Sequence, residues 1–226
     1  MTTTSVTMGS QGKRIPRRLL ATRGASWAVR LAHWLAERHV TPNVVSVLGV
    51  VFATAAGASF LVAPMLDARW RAATLLIAAA CVQLRLLCNL LDGMLAVEEG
   101  LKTRTGELFN ELPDRLADVA ILVGAGCAAL PRPAGVALGL AAALAALFTA
   151  YVRVLAGSLG ATQHFVGPMA KQHRMFILTL ATLLAAAEAA FALPPRALVS
   201  ALAVIIAGSA VTIVRRTSRL AGELTR

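Results

Sequence analysis

A chain of 226 residues that is 58% hydrophobic and only 15% charged, with a mean hydropathy of +0.71, is too apolar for an ordinary soluble domain; an integral membrane protein is expected instead. A formal net charge of +11 would suit nucleic acid, but the basic residues lie between apolar runs and aromatics make up just 5%. A surface facing anionic lipid headgroups accounts for that charge better than a base-stacking platform, and no nucleic-acid partner is expected.

Cys81, Cys88 and Cys127 all fall inside apolar segments, without metal-binding spacing, and read as small buried hydrophobes. Residues 1–12, rich in Thr, Ser and Gly, predict a disordered tail. The first forty residues lack the apolar core and small-residue cleavage site of a secretory signal, so membrane entry is expected from the spans themselves. Residues 13–40 alternate Leu19, Leu20, Trp27, Leu31, Trp34 and Leu35 with Arg17, Arg18, Arg23, Arg30 and Arg38. This pattern predicts an amphipathic juxtamembrane helix lying in the interface, anchored by Trp and with its Arg residues among headgroups.

Six apolar spans follow within residues 41–216, near 43–63, 72–95, 107–130, 134–157, 174–193 and 197–214, each close to the roughly 20 residues that cross a bilayer. The predicted fold is therefore all-α integral membrane, with six transmembrane helices and an N-terminal interfacial helix. Thr41-Pro42-Asn43 is a helix start, with Thr41 as cap and Pro42 in the first turn. Pro131 and Pro133 mark the turn after the third span, and Pro194 and Pro195 the turn after the fifth. Residues 217–226 read as a polar C-terminal tail. No internal repeat is evident, which weighs against a transporter built from duplicated halves.

Counting Lys and Arg orients the bundle. With the N-terminus inside, fifteen fall on the cytoplasmic side: Lys13, Arg14, Arg17, Arg18, Arg23, Arg30, Arg38, Lys102, Arg104, Lys171, Arg174, Arg215, Arg216, Arg219 and Arg226. Only Arg69, Arg71, Arg132 and Arg196 fall opposite, and Arg85, Arg115 and Arg153 lie within spans. The expectation is a multi-pass protein of the cytoplasmic membrane with both termini in the cytoplasm.

The stretch 89–118 interrupts the apolar pattern. Asn89 and Asp92 are three residues apart, and Asn110, Asp114 and Asp118 follow at steps of four. On helices, each set shares a face, and the topology brings both sets to the cytoplasmic membrane face. Carboxylates at this depth are costly and mark a functional site by default. Oxygen ligands without His or Cys suit a hard divalent cation, Mg²⁺ or Mn²⁺, so all five are candidate metal ligands. The plain alternative is a set of intramembrane ion pairs with Arg85, Arg115 and Arg153. Gly93 and Gly106 would let a ligand approach the backbone closely, and Pro113 frees a carbonyl beside Asp114.

These residues resemble the signature of the CDP-alcohol phosphatidyltransferase family, D-x2-D-G-x2-A-R-x8-G-x3-D-x3-D. The chain reads Asn89-x2-Asp92-Gly93-x2-Ala96-Val97, eight residues, then Gly106-x3-Asn110-x3-Asp114, keeping every spacing. The Thr41-Pro42-Asn43 start and the six-span pattern are similar to the family as well. Three positions depart from it: Asn89 and Asn110 replace aspartates, and Val97 replaces arginine. The resemblance implies four carboxylates holding a metal pair, with the last as general base. Here Asp114 takes that place, with Asp118 as the alternative and Glu111 as a further acid. It also implies transfer of a substituted phosphate group from a CDP-activated lipid to a small alcohol acceptor with release of CMP, among membrane lipids, in a homodimer.

A second polar group precedes the fifth span, where Lys171 and Arg174 are three apart at a helix start. With Arg153 they are candidates for a phosphate on the acceptor, or are simply flanking charges. Gly93, Ala96 and Gly106 complete the candidate substrate-binding set. His164 and His173 read as surface polar groups, and Glu188, deep in the fifth span, has no partner legible in the sequence. The other function class open to these residues is a non-catalytic, cation-binding or transport protein on the same fold.

Overall fold

A computed structural model describes residues 25–97 and 106–225, excepting the side chains of 106, 107, 109 and 110. The 1–12 tail and the first half of the predicted juxtamembrane helix lie outside the described residues. Among them every regular element is helical: α1 (Ser26–Glu37), α2 (Pro42–Val62), α3 (Ala68–Val97), α4 (Gly106–Ala129), α5 (Ala134–Ser158), α6 (Lys171–Ala190) and α7 (Arg196–Leu224), with one short 3₁₀ turn at Ala63–Met65.

Local chemistry sets several of these ends. The Thr41 side chain accepts from the Val44 N–H at 3.4 Å, and Pro42 opens α2, as the sequence predicts. Glu188 acquires its role here. Its carboxylate accepts from the Ala197 N–H at 3.1 and 3.3 Å, capping the first turn of α7 across the Pro194-Pro195 turn.

α7 outruns its predicted span and continues through the expected tail to Leu224. Leu220 is buried, Arg216 donates to the carbonyls of Val166 and Thr149, and Glu223 accepts from the Thr162 N–H. Those contacts fasten the extra turns to the segment between α5 and α6.

α2 packs against both α3 and α4, α5 against α4 and α7, and α6 against α3 and α7. The crossing of α2 and α4 is close because of paired glycines. A Cβ on Gly124 would lie 2.8 Å from the Gly57 carbonyl oxygen, and one on Gly57 would lie 2.7 Å from that of Ala120. The interior is rich in small residues such as Ala53, Ala56, Ala78, Ala125, Ala142 and Ala146, with Phe60, Leu122 and Ile205 filling between them. The outer surface is apolar. Val47, Val51, Leu76, Ile77, Leu144, Phe148, Phe176 and Val204 are all exposed, which is the pattern of a lipid-facing wall.

Among the described residues, five helices, α2, α3, α5, α6 and α7, are long and apolar enough to cross a membrane. α4 has 24 residues, a span's length, yet Asp114, Arg115 and Asp118 lie within its first thirteen. That charge separates it from the other five, and it marks the end of the bundle where the chemistry gathers.

Candidate active site

The site forms at one end of the bundle, where the C-terminal part of α3 meets the starts of α2, α4 and α6. Arg85, Asn89 and Asp92 occur at steps of four and three on α3, and so fall on one stripe. Asp114 and Asp118 are one turn apart on α4, and Lys171 and Arg174 lie in the first turn of α6.

The deepest layer is an ion-pair network. Arg85, 1% exposed, donates from Nη2 to Asp114 Oδ1 and to Asp118 Oδ1, each at 3.1 Å. Arg174 donates from Nη2 to Asp118 Oδ2 at 3.0 Å and from Nη1 to Thr149 Oγ1 at 3.1 Å. Asp118 is thus held between two guanidiniums, one on each oxygen. Buried charges survive in a low-dielectric interior only when matched in this way.

Above it, Asn89 Nδ2 donates to Asp114 Oδ1 at 3.2 Å. Lys171 Nζ donates to Asn89 Oδ1 at 2.8 Å and also to Asp114 Oδ2. Asp92 stands apart: Ser46 Oγ donates to its Oδ2 at 2.6 Å, while its Oδ1 is buried with no partner among the described residues.

Two cavities share Asn89 and Asp114 in their walls. The larger, about 690 Å³, is also lined by Gly93, Arg153, Lys171 and Arg174, with Trp27 of α1 at its edge. Glu111 lies in the same wall, accepting from Arg115 at 2.9 Å and from Arg153. The smaller, about 10 Å³, lies between Ser46, Arg85, Asn89, Asp92, Pro113 and Asp114.

Most of the predicted set therefore converges. Asn89, Asp92, Gly93, Asp114, Arg153, Lys171 and Arg174 line one cavity or the other. Asp118 lines neither; its oxygens face Arg85 and Arg174. Ala96 is half-buried one turn beyond Asp92 and also lines neither. The Asn110 side chain and the surroundings of Gly106 lie outside what is described. His173 bonds to the Pro168 carbonyl at 2.8 Å, and His164 pairs with Glu223. Ser46 and Thr149 are the participants that sequence reasoning missed; Arg85, expected as an ion-pair partner, does pair with Asp114 and Asp118, while Arg115 and Arg153 pair with Glu111. Arg85 was legible as a charge one turn before Asn89, whereas a serine and a threonine inside apolar helices carry no signal of their own.

Among the described residues, no three His, Cys, Asp or Glu side chains converge as a metal site. The donor set that remains fits a hard cation nonetheless. Asp92 has a buried, unpartnered Oδ1 and lines the same small cavity as Asp114, and such an oxygen is costly without a donor or a cation.

No known family profile matches the chain. Inner membrane protein YnbA of Escherichia coli (strain K12) is 27% identical over 149 residues, covering 65% of this chain and 69% of that protein. Among solved structures, phosphatidylinositol phosphate synthase (PgsA1) of Mycobacterium tuberculosis with CDP-DAG bound aligns with a TM-score of 0.69 and 25% identity, covering 87% of this chain and 94% of that one. The same enzyme in complex with manganese and citrate aligns with a TM-score of 0.70 and 22% identity, covering 85% and 88%. With the spacing of residues 89–114 kept throughout, this shared helical fold supports the resemblance to the CDP-alcohol phosphatidyltransferase family.

Proposed function

We propose that the protein transfers a substituted phosphate group from a CDP-linked lipid to a small alcohol, releasing CMP, at the cytoplasmic face of the inner membrane. The observation that carries this reading is the pairing of Asp92 and Asp114 across a small void that shares a wall with a 690 Å³ cavity lined by Arg153, Lys171 and Arg174. Carboxylates beside a basic chamber suit a diphosphate and its counter-ion.

In this proposal α4 is the sixth span, α1 lies in the interface through the exposed Trp27 and Trp34, and both termini are cytoplasmic. The fatty chains of the donor then stay in lipid while its nucleotide enters the cavity from water.

The acceptor oxygen bonds to the phosphorus carried by the lipid. The bond from that phosphorus to the oxygen bridging to CMP breaks, and CMP departs with the electron pair. Asp114 is the acid placed to take the hydroxyl proton, because it lines both cavities whereas Asp118 is sealed between Arg85 and Arg174. Arg85 and Asn89 fix the rotamer of Asp114 through its Oδ1. Arg153 and Lys171 present positive charge to the phosphates, and Gly93 leaves room beside them.

A divalent cation, Mg²⁺ or Mn²⁺, would be held by Asp92 with Asp114. It would supply neutralisation of the charge that builds on the leaving phosphate. The PgsA1 complexes with manganese and with CDP-DAG support that choice of partners.

The test is CMP release by the full chain in phospholipid nanodiscs with Mg²⁺, CDP-diacylglycerol and a broad panel of alcohols and alcohol phosphates. Release with at least one acceptor, lost in Asp92→Asn, supports the reading. No release with any of them overturns it and leaves a cation-binding protein on a transferase fold.

A further inference from the structure

We propose that Lys171 is a built-in cation of this site, so that the chain binds one divalent ion, at Asp92, and has no room for a second at Asn89 and Asp114. The inference rests on the phosphate-transfer reading above and concerns the same pocket.

The Lys171 ammonium sits where Asn89 and Asp114 present their oxygens to each other. It donates to Asn89 Oδ1 at 2.8 Å and to Asp114 Oδ2. The Asn89 amide is matched to this arrangement, because its oxygen accepts from Lys171 while its nitrogen donates to Asp114 Oδ1 at 3.2 Å. An aspartate in its place would set a second negative charge against Asp114 and require more positive charge than one ammonium supplies. Asn89 and Lys171 thus form a reciprocal pair: the neutral amide removes a charge, and the lysine meets the one that remains. An ammonium carries three N–H donors, and a third is left for an anionic ligand in the larger cavity that Lys171 lines.

The balance of charge leads to the same count. Asp114 and Asp118 are already met by Arg85, Lys171 and Arg174, two carboxylates against three cations. One divalent ion adds two positive charges, which a bound diphosphate offsets. A second would leave its charge uncompensated in a low-dielectric interior. The place for the single ion is Asp92. Its Oδ2 is taken by Ser46, its Oδ1 is buried and unpartnered, and the void it shares with Asp114 measures about 10 Å³, a space of atomic size.

The experiment is a Mn²⁺ titration of the full chain in phosphatidylcholine nanodiscs, with free Mn²⁺ read by electron paramagnetic resonance, with and without CDP-diacylglycerol. The wild-type chain is expected to bind one Mn²⁺, Asp92→Asn none, and Asn89→Asp with Lys171→Met two. Two ions on the wild-type chain overturn the inference, as does a folded double variant that still binds one. Because the wild-type count decides by itself, a double variant that does not fold leaves the test intact. One Mn²⁺ without CMP release for any acceptor would sink the proposed reaction and spare this inference; CMP release with two bound ions would do the reverse.

Discussion

Arg174 Nη2 donates to Asp118 Oδ2 at 3.0 Å with both side chains sealed from solvent, tying α6 to α4 beneath the candidate site. The opposite oxygen of Asp118 is held by Arg85 at the same depth, so one carboxylate joins three helices. Removing its charge leaves Arg174 with no carboxylate and Arg85 with Asp114 alone. Asp118→Asn is expected to destabilise the fold by about 3–5 kcal/mol, the usual cost of breaking a buried pair. Pairing Asp118→Leu with Arg174→Met should recover much of that loss, since Arg85 keeps Asp114. Thermal unfolding in a mild detergent reads both; a single variant as stable as wild type would show the network to be dispensable.

Ser46 Oγ donates to Asp92 Oδ2 at 2.6 Å. It holds Oδ2 and leaves Oδ1 unpartnered, in a carboxylate that lines the void shared with Asp114. Ser46→Ala is expected to weaken Mn²⁺ binding by roughly 10–100-fold, the range seen when a group supporting a metal ligand is removed. CMP release should regain part of its rate at raised Mn²⁺ if binding is what was lost. Unchanged affinity in a Mn²⁺ titration would remove Ser46 from the site.

The helices and the acidic stretch were legible because both follow simple periods: apolar runs near bilayer length, and polar residues at steps of three and four. Of the partners of those acids, Arg85 was legible as a charge within a span, but the roles of Lys171 and Arg174 were not. Arg85 and Arg174 lie about ninety residues apart in sequence, and only the packing of α6 against α3 and α7 sets them on either side of Asp118. Lys171 and Arg174 share a face, as their spacing predicts. Yet Arg174 turns inward to Asp118 and Thr149 while Lys171 turns to Asn89 and Asp114. A pattern in one helix fixes which residues are neighbours along it, but not which helix they meet. Glu188 was opaque for a related reason: its partner is a backbone N–H nine residues on, exposed only because a turn of two prolines reverses the chain.

That cap gives a variant far from the chemistry. Glu188→Ala leaves the Ala197 N–H without its acceptor, at the end of the bundle away from Asp92 and Asp114. A loss of about 0.5–2 kcal/mol in stability is expected, as for other N-terminal caps. CMP release and Mn²⁺ stoichiometry at a temperature where the chain stays folded should match wild type. A loss of turnover without a loss of stability would mean that the two ends are coupled.

Gly124 and Gly57 set how closely α2 approaches α4, and Asp114 lies ten residues before Gly124, about 15 Å along the helix. A Cβ at Gly124 would meet the Gly57 carbonyl at 2.8 Å and its Cα at 2.9 Å. Both are backbone atoms that no side-chain rotation can move away. Gly124→Val is expected to force the helices apart at a cost of about 1–3 kcal/mol from overpacking. Because Ser46 is on α2 and Asp114 on α4, the same displacement should lower Mn²⁺ affinity as well. A variant that melts earlier but binds Mn²⁺ as tightly as wild type would show that the site is set by α3 and α6 instead.

Asp114 and Asp118 share a helix face yet are expected to fail in different ways. Asp114 is partly open to both cavities, and its cationic neighbours keep other acceptors when it becomes an amide: Lys171 has Asn89 Oδ1 and Arg85 has Asp118 Oδ1. Asp114→Asn should therefore lower kcat by roughly 10²–10⁴, the usual contribution of a positioned base, with a smaller loss of stability than Asp118→Asn. Asp118→Asn should lose stability first and turnover only as the fold loosens. Raising pH distinguishes them further. If Asp114 accepts the proton, a more basic solution should restore part of the Asp114→Asn rate as the acceptor hydroxyl ionises by itself, while it should do nothing for Asp118→Asn. Equal rate losses with equal stability losses in the two variants would assign both acids to the frame and leave the base elsewhere, with Glu111 the next residue to test through its place beside Arg153.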